Sequence, residues 1–193
     1  MKGNSEMITS RVGARNLPES VLTLSSLPAI DYADHFALTT GADAVPERWA
    51  RAMFGDVPSP GERFIWRGLL GLRLSRGRSP ATVAGWRIAG RGDDWILLET
   101  ASWFLTCNLL VQTAAGKVSL GTFLHYRRLW GRIVWPPLSA VHRCLTPGVL
   151  RKAAAVISPR REPGAARARR EHGPSTPEPG PSSPVRSRPR PSR

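Results

Sequence analysis

Apolar and polar residues alternate with a period of two through the middle of the chain, as is typical of half-buried β-strands. The first run places five residues on one face: Trp103, Leu105, Cys107, Leu109 and Val111. After the loop 113–116, a second run places another five on one face: Val118, Leu120, Thr122, Leu124 and Tyr126. A four-residue loop predicts a hairpin that pairs Val111 with Val118. The same register pairs Leu105 with Leu124.

A second hairpin is predicted just upstream. Residues 84–89 and 95–101 are apolar segments that flank the turn-rich sequence GRGDD. The two hairpins together form a four-stranded antiparallel meander. An earlier strand is predicted over residues 34–39.

Three helical regions accompany these strands. Val45–Phe54 ends before Gly55, a residue suited to the position after a helix. Ser59 to Glu62 matches a capping box with Pro60 at the first helical position, and this helix is expected to run to Leu72. Its apolar stripe consists of Phe64, Ile65, Leu69 and Leu72.

The third helical region is the longest, Leu129–Ile157. Its apolar residues recur three or four positions apart, which predicts a core-facing stripe made of Trp130, Val134, Leu138, Val141, Leu145, Val149 and Ala153. Three prolines within it are expected to kink or divide the helix: Pro136, Pro137 and Pro147. The order of elements predicts an α+β domain, in which a curved antiparallel sheet of about five strands grips this helix.

The most apolar passage, Trp95–Val111, is not a good membrane span. Its 17 residues are at the lower limit of the length required, and Glu99 and Asn108 interrupt them. The direction of Glu99 depends on the register of the preceding hairpin. One register places its carboxylate inside the domain with Trp86 and Ile88, whereas the other places it outside beside Arg87.

Composition separates the ends of the chain from its centre. Residues 158–193 contain nine Pro, nine Arg and three acidic residues, and no Leu, Ile, Phe, Trp or Tyr. We expect this basic tail and residues 1–16 to be disordered, leaving a folded domain over residues 17–157. The net charge is +14, and the ends carry +8 of it. Two cysteines and no signal-like apolar run in the first thirty residues predict a cytoplasmic protein.

Several phrases resemble the helix-grip superfamily of START-like lipid-transfer domains and polyketide cyclases, and most of all a bacterial family known only as a domain of unknown function. They are LPAIDYADHFAL (27–38), PERWARAMF (46–54), GWRI (85–88), SWFLTCNLLV (102–111), TFLHYRR (122–128) and WPPLSAVHRCLTP (135–147). The resemblance covers residues 27–155. It implies an apolar cavity between the sheet and the long helix, with fewer strands here than the seven usual in that superfamily. A filled cavity is the alternative.

The predicted cavity lining combines the inward faces of the strands and the long helix. It consists of Trp86, Ile88, Trp103, Leu105, Cys107, Leu109, Leu124, Tyr126, Leu138, His142 and Leu145. Glu99 and His142 are the candidate catalytic residues, since a carboxylate or an imidazole in a dry cavity can transfer a proton. The alternative for His142 is a boundary residue bonded to a backbone carbonyl. His125 is expected to face solvent.

His142 and Cys144 lack zinc-ligand spacing and a third ligand, so we expect no metal and no cofactor. The leading functional hypothesis is binding of a small apolar or amphipathic molecule in the cavity. The first alternative is a cyclase-like or isomerase-like enzyme using the same cavity. The second is an interaction protein whose basic tail contacts nucleic acid or anionic membrane non-specifically. The sequence does not indicate an oligomeric state.

Overall fold

One open antiparallel sheet of seven strands forms the centre of the domain. A computed structural model of the chain describes residues 7–158. The strands are β1 (Ile8–Val12), β2 (Tyr32–Thr39), β3 (Thr82–Val83), β4 (Trp86–Arg91), β5 (Trp95–Ala101), β6 (Leu105–Ala114) and β7 (Lys117–Tyr126). Their order across the sheet is β1-β2-β7-β6-β5-β4-β3. The domain is therefore α+β, as predicted, but with seven strands rather than about five.

The helices are α1 (Glu19–Leu22), α2 (Pro46–Phe54), α3 (Pro60–Arg63) and α4 (Leu129–Ile157). Two helical features agree with the sequence. Gly55 ends α2 with a φ of 74°, and Ser59 and Glu62 form the capping box at α3. After Arg63, however, the chain continues as a π-helical segment, Phe64–Leu69. Because a π-turn advances fewer degrees per residue than an α-turn, the predicted stripe is divided. Ile65 and Leu72 pack in the core, whereas Phe64 and Leu69 are exposed.

The two strands that were not predicted are both at the edges of the sheet. β1 pairs with β2 from Ile8 opposite Leu38 to Val12 opposite Asp34. Residues 8–12 are therefore not part of a disordered terminus. Four of the five β1 residues are exposed, so the strand lacks an apolar alternation that could be read. β3 is only two residues long. The predicted disorder of residues 1–6 and 159–193 lies outside the described residues.

The central hairpin has a different register from the predicted one. Val111 pairs with Leu120 rather than Val118, and Leu105 pairs with Tyr126 rather than Leu124. The loop is two residues long, Ala115-Gly116, and the φ of 70° at Gly116 suits such a tight turn. Since the shift is two residues, every side chain keeps its predicted face.

The sheet has two covered faces, each with its own apolar cluster. The inner face packs against α2 and α4 and includes the largest core residues of the strands, Phe36, Leu38, Ile96, Leu98, Leu105 and Leu124. The outer face carries Ala33, Leu97, Leu110 and Phe123, and the segment after β1 covers it with Leu17 and Val21. The central strands carry apolar side chains on both faces of the sheet, so both faces must be covered to remove these side chains from water.

Helix α4 runs without interruption through its three prolines. The carbonyls that the prolines leave without a donor belong to Arg132, Ile133 and Arg143, which are exposed, so water can bond to them. The buried face is rotated from the predicted stripe. It includes Gly131, Trp135, Ser139, Thr146, Leu150 and Ala153, whereas Trp130, Val141 and Leu145 are exposed.

The N-terminal end of α4 lies very close to the sheet at Gly131. A Cβ atom on Gly131 would be 2.8 Å from Tyr126 Cδ1 and 3.0 Å from Tyr126 Cβ, whereas a Cβ on Gly148 would meet nothing within 4 Å. The two glycines therefore form a matched pair within one helix. At Gly131 the absence of a side chain permits packing, and at Gly148 it only lowers helix propensity.

We predict that Gly131→Ala lowers the free energy of unfolding by about 1 kcal/mol, because overpacking outweighs the gain in helix propensity. Gly148→Ala is expected to raise it by up to about 1 kcal/mol. Urea denaturation followed by circular dichroism measures both. An equal stabilisation by the two alanines would show that the close approach at Gly131 is not required.

Candidate functional site

An apolar cavity of about 150 Å³ lies between α4, the α3–π-helical segment and the inner face of the sheet. The strands contribute Trp86, Cys107, Leu109, Leu120 and Thr122, and α4 contributes Trp135, Leu138, Val141, His142, Leu145, Thr146 and Val149. The remaining wall consists of Phe54, Glu62, Ile65, Trp66, Leu70 and Leu72. Apolar side chains dominate this lining, and the polar ones include His142, Thr122 and Thr146.

Six predicted lining residues border this cavity: Trp86, Cys107, Leu109, Leu138, His142 and Leu145. The other five do not. Ile88 packs at the margin of the core, Leu105 and Leu124 are fully buried within it, and Tyr126 packs under Gly131. Trp103 precedes β6 instead of opening it and is 53% exposed. Since α4 approaches the sheet closely at Gly131, it leaves no space over that end of the strands.

His142 is a polar residue of the cavity wall, and Asp34 lies behind it, outside the lining. His142 Nε2 lies 3.1 Å from Asp34 Oδ2, 3.1 Å from Thr122 Oγ1 and 3.4 Å from Thr146 Oγ1. The Thr146 hydroxyl donates to the His142 carbonyl at 2.8 Å, which holds the helix turn that carries the imidazole. The ring of Trp135 packs against the imidazole with 5.7 Å between centroids. His142 is therefore held in one orientation from three directions.

Asp34 is completely buried on the inner face of β2. The Tyr32 hydroxyl donates to its Oδ2 at 2.6 Å, and Oδ1 has no hydrogen-bond partner in the described part of the chain. Burial, with the hydrogen bond to Asp34, raises the pKa of Tyr32 well above its ordinary value, so the phenol stays a donor. A buried carboxylate requires such partners, because its transfer from water costs several kcal/mol.

The sequence analysis missed Asp34, although a signal was present. In β2, Tyr32, Asp34, Phe36 and Leu38 fall on one face by alternation, which puts a carboxylate among core residues. A charged residue on an otherwise apolar strand face indicates either a buried pair or a site. Its partner Thr122 was assigned to the inward face but not considered as a polar group of the site.

Two indole N–H groups at the cavity lack an acceptor. Trp86 and Trp135 both line the cavity, and their Nε1 atoms are buried without a hydrogen-bond partner among residues 7–158. Trp86 packs edge-on against Trp66, and Trp135 packs edge-on against Tyr32, so both rings are fixed. An unsatisfied buried donor costs about 1–3 kcal/mol. The cavity thus has an apolar lining, and two unpaired donors are buried beside it.

Glu99 is not part of this cavity. It pairs with Arg87 across β4 and β5, and the register that places it beside Arg87 on the outer face is the one found. Arg87 Nη2 donates to Glu99 at 2.6 Å, and the Ser26 hydroxyl donates to it from the covering segment. Burial raises the pKa of Glu99, but the hydrogen bonds from Ser26 and Arg87 outweigh it and hold the pKa below its ordinary value. Glu99 thus links β5 to β4 and to the segment that covers the outer face.

Two other groups named from the sequence are Cys107, in the cavity wall, and His125, outside it. Burial, with the nearby negative charge of Asp34, raises the pKa of the Cys107 thiol, which disfavours the thiolate required for attack. His125 is half-buried on the outer face, with Nδ1 3.0 Å from Asp31, rather than fully exposed. Within residues 7–158, no group of three or more His, Cys, Asp and Glu side chains is arranged to hold a metal ion.

A second depression of about 360 Å³ lies beside the β6–β7 turn, bordered by residues 40–43, Trp49 and residues 113–117. It is larger than the apolar cavity, but its wall is largely backbone and short side chains from two turns. Asp43 and Lys117 are its charged groups, and neither is buried. The apolar cavity is the better candidate site because its polar groups are fixed and desolvated.

Comparison with protein-family models, with curated proteins and with solved structures finds no match for this chain. The resemblance to the helix-grip superfamily therefore stays a prediction. No helix among residues 7–158 is both long and apolar enough to cross a membrane.

We predict that Asp34→Ala and His142→Ala each lower the free energy of unfolding by about 3 kcal/mol, because each leaves a buried polar partner unpaired. The double variant is expected to lose less than the sum of the two, by about 1–3 kcal/mol. Urea denaturation of the four proteins measures this coupling. Asp43→Ala, at an exposed carboxylate, is the control and should change stability by less than about 0.5 kcal/mol. Strict additivity would mean that the two side chains do not interact.

Proposed function

We propose that the chain binds a small, mainly apolar molecule that carries a hydrogen-bond acceptor, in the cavity beneath α4. The observation that carries this proposal is the pair of buried indole donors, on Trp86 and Trp135, in an apolar wall. A hydrocarbon would leave both donors unsatisfied, whereas a carbonyl or ether oxygen would accept from one of them once the atoms that cover that Nε1 move aside. Ligand sites commonly have this composition, an apolar lining with a few placed polar groups.

The size of the cavity limits the ligand. A volume of about 150 Å³ is below the roughly 300–1,000 Å³ of common ligand pockets. It is similar to an engineered cavity of about 150 Å³ that binds benzene. The ligand is thus a single ring or a short branched chain, or the buried end of a longer molecule. Val141 and Leu145 line the cavity and are about half exposed, so entry is possible along this side of α4.

The predicted resemblance to the helix-grip superfamily is consistent with the proposal. It implies a cavity between the sheet and the C-terminal helix, and the cavity lies between those elements. The proposal does not include a role for the basic tail, because residues 159–193 are outside the described part of the chain. Polyanion binding by that tail remains a separate prediction.

We expect cyclohexanone to bind more tightly than methylenecyclohexane, a hydrocarbon of nearly the same shape, by ~fivefold, the worth of one net hydrogen bond. Saturation-transfer NMR titrations of the full chain measure both dissociation constants. Trp135→Phe and Trp86→Phe test the two donors, and the variant that removes the donor in use should abolish the preference for the ketone.

Trp103→Phe is the matched control, since Trp103 is exposed and does not line the cavity. It should leave both dissociation constants unchanged. Equal affinity for ketone and hydrocarbon in the unsubstituted chain would contradict acceptor recognition. Binding of neither probe would contradict the proposed function as a whole.

A second candidate function is acid–base catalysis in the same cavity. The observation that favours it is His142 Nε2 at 3.1 Å from the buried Asp34 carboxylate, with His142 at the cavity wall. A carboxylate beside an imidazole holds the ring in one orientation, which a positioned base requires. The base would be His142, with Asp34 as its positioning residue. Glu99, the other residue named from the sequence, is excluded by its position on the outer face.

If His142 acts as a base, cyclohexanone in D₂O should exchange its α-hydrogens for deuterium in the presence of the protein. His142 would remove an α-proton to give the enolate, and a deuteron from solvent would replace it at carbon. We expect ~100-fold faster exchange than with His142→Gln, measured by NMR of the ketone. His125→Gln, at the outer-face histidine, is the control. Equal rates with the unsubstituted chain and His142→Gln would exclude catalysis by this residue.

A further inference from the structure

The side of α4 that faces away from the sheet is apolar. Its exposed residues include Leu129 (74%), Trp130 (54%), Ile133 (64%), Val141 (50%) and Leu145 (54%). On an ideal helix these five residues fall in a sector of about 160°, opposite the buried sector that faces the sheet. We call this surface the α4 face. Trp103 is 53% exposed and lies beside Trp130, with 6.5 Å between ring centroids, so it extends the α4 face at the helix N-terminus.

The segment of the chain that carries the α4 face is basic. From Arg127 to Ser158 the chain has six basic residues and no Asp or Glu; the basic residues are Arg127, Arg128, Arg132, Arg143, Arg151 and Lys152. All six are exposed. On an ideal helix Arg151 and Lys152 fall within the sector of the α4 face, whereas Arg132 and Arg143 fall on the sheet side. The acidic residues nearby are already engaged: Asp31 with His125, the Tyr126 amide and Arg132, and Glu62 with the Ser59 amide in its capping box.

We propose that the α4 face docks on an anionic lipid surface, with its apolar residues in the headgroup boundary. Arg151 and Lys152, with Arg127 and Arg128 just before the helix, would contact lipid phosphates. An exposed apolar sector that includes tryptophan, flanked by basic residues, is the composition of helices that lie in the plane of a membrane interface. The docking is peripheral, since no described helix is long and apolar enough to cross the bilayer.

The same observations disfavour two other partners for an apolar face that has basic residues beside it, namely a second copy of the chain and nucleic acid. A symmetric dimer would bring the same basic residues of two copies together, and like charges across an interface are destabilising. Nucleic acid would contact the basic residues but would leave the apolar sector between them in water, because phosphate contacts are polar. A lipid interface satisfies both parts of the face at once.

The α4 face also includes one border of the cavity. Val141 and Leu145 belong to both, so a docked protein would present the side of the cavity where entry is possible to the lipid. The docking proposal does not depend on the proposed function, because it rests on the outward residues and their charges. Failure of ligand binding would leave it intact.

The test is co-sedimentation of the full chain with phosphatidylcholine vesicles and with vesicles that contain one quarter phosphatidylglycerol, in 150 mM salt. We expect binding to the anionic vesicles and ~tenfold weaker binding of Ile133→Ser, which removes an apolar side chain from the interface. Val45→Ser is the matched control, since Val45 is 65% exposed, against 64% for Ile133, but lies outside α4. It should bind as the unsubstituted chain does.

A second measurement separates docking by the α4 face from attraction of the basic tail. Brominated lipids in the anionic vesicles quench tryptophans that enter the bilayer, so Trp130→Phe should reduce the quenching. Trp49→Phe, at a residue 1% exposed, should leave the quenched signal unchanged. Equal binding of Ile133→Ser and Val45→Ser, with quenching unaffected by Trp130→Phe, would overturn the proposal. So would a concentration-dependent dimer, by analytical ultracentrifugation, that Ile133→Ser abolishes.

Discussion

The contact between Asp34 on β2 and His142 on α4 is the constraint on which the arrangement of the inner face depends. A carboxylate with no exposure to solvent must be satisfied within the protein, and its partners are Tyr32 on the same strand and His142 on the helix. This requirement determines which face of α4 meets the sheet. It selects a sector with Ser139, His142 and Thr146 over the more apolar sector of Val141 and Leu145. A helix placed by hydrophobicity alone would present the other sector.

Contacts at two positions along α4 explain why a cavity lies between this helix and the sheet. At the N-terminal end, Gly131 lets the helix backbone rest on Tyr126. Further along, the large ring of Trp135 and the Asp34–His142 pair stand between the helix and the strands. Because protein interiors are close-packed, the space that these rigid groups do not fill is closed by the neighbouring α3–π-helical segment rather than by the sheet. The cavity is therefore bordered by rings that cannot collapse into it.

Several parts of this fold could be predicted from the sequence, since they depend on local periodicity. The meander, the capping box at Ser59 and the glycine after α2 are examples. The β6–β7 register was wrong by two residues, yet the faces were right, because side-chain direction depends only on parity. The direction of Glu99 could not be predicted, since both faces of β5 are apolar and only the pairing of Arg87 with Glu99 decides between them.

The site was harder to predict than the fold because it depends on a choice between two apolar sectors of one helix. Spacing identified Val141 and Leu145 as core positions, and they are half exposed. The rotation of α4 about its axis depends instead on polar contacts. The main one joins His142 to the carboxylate of Asp34, more than a hundred residues earlier in the chain. The consequence is that hydrophobic side chains remain on the outside of α4, where burial would otherwise stabilise the fold. Satisfying one buried carboxylate thus leaves an apolar surface uncovered on the opposite side of the helix.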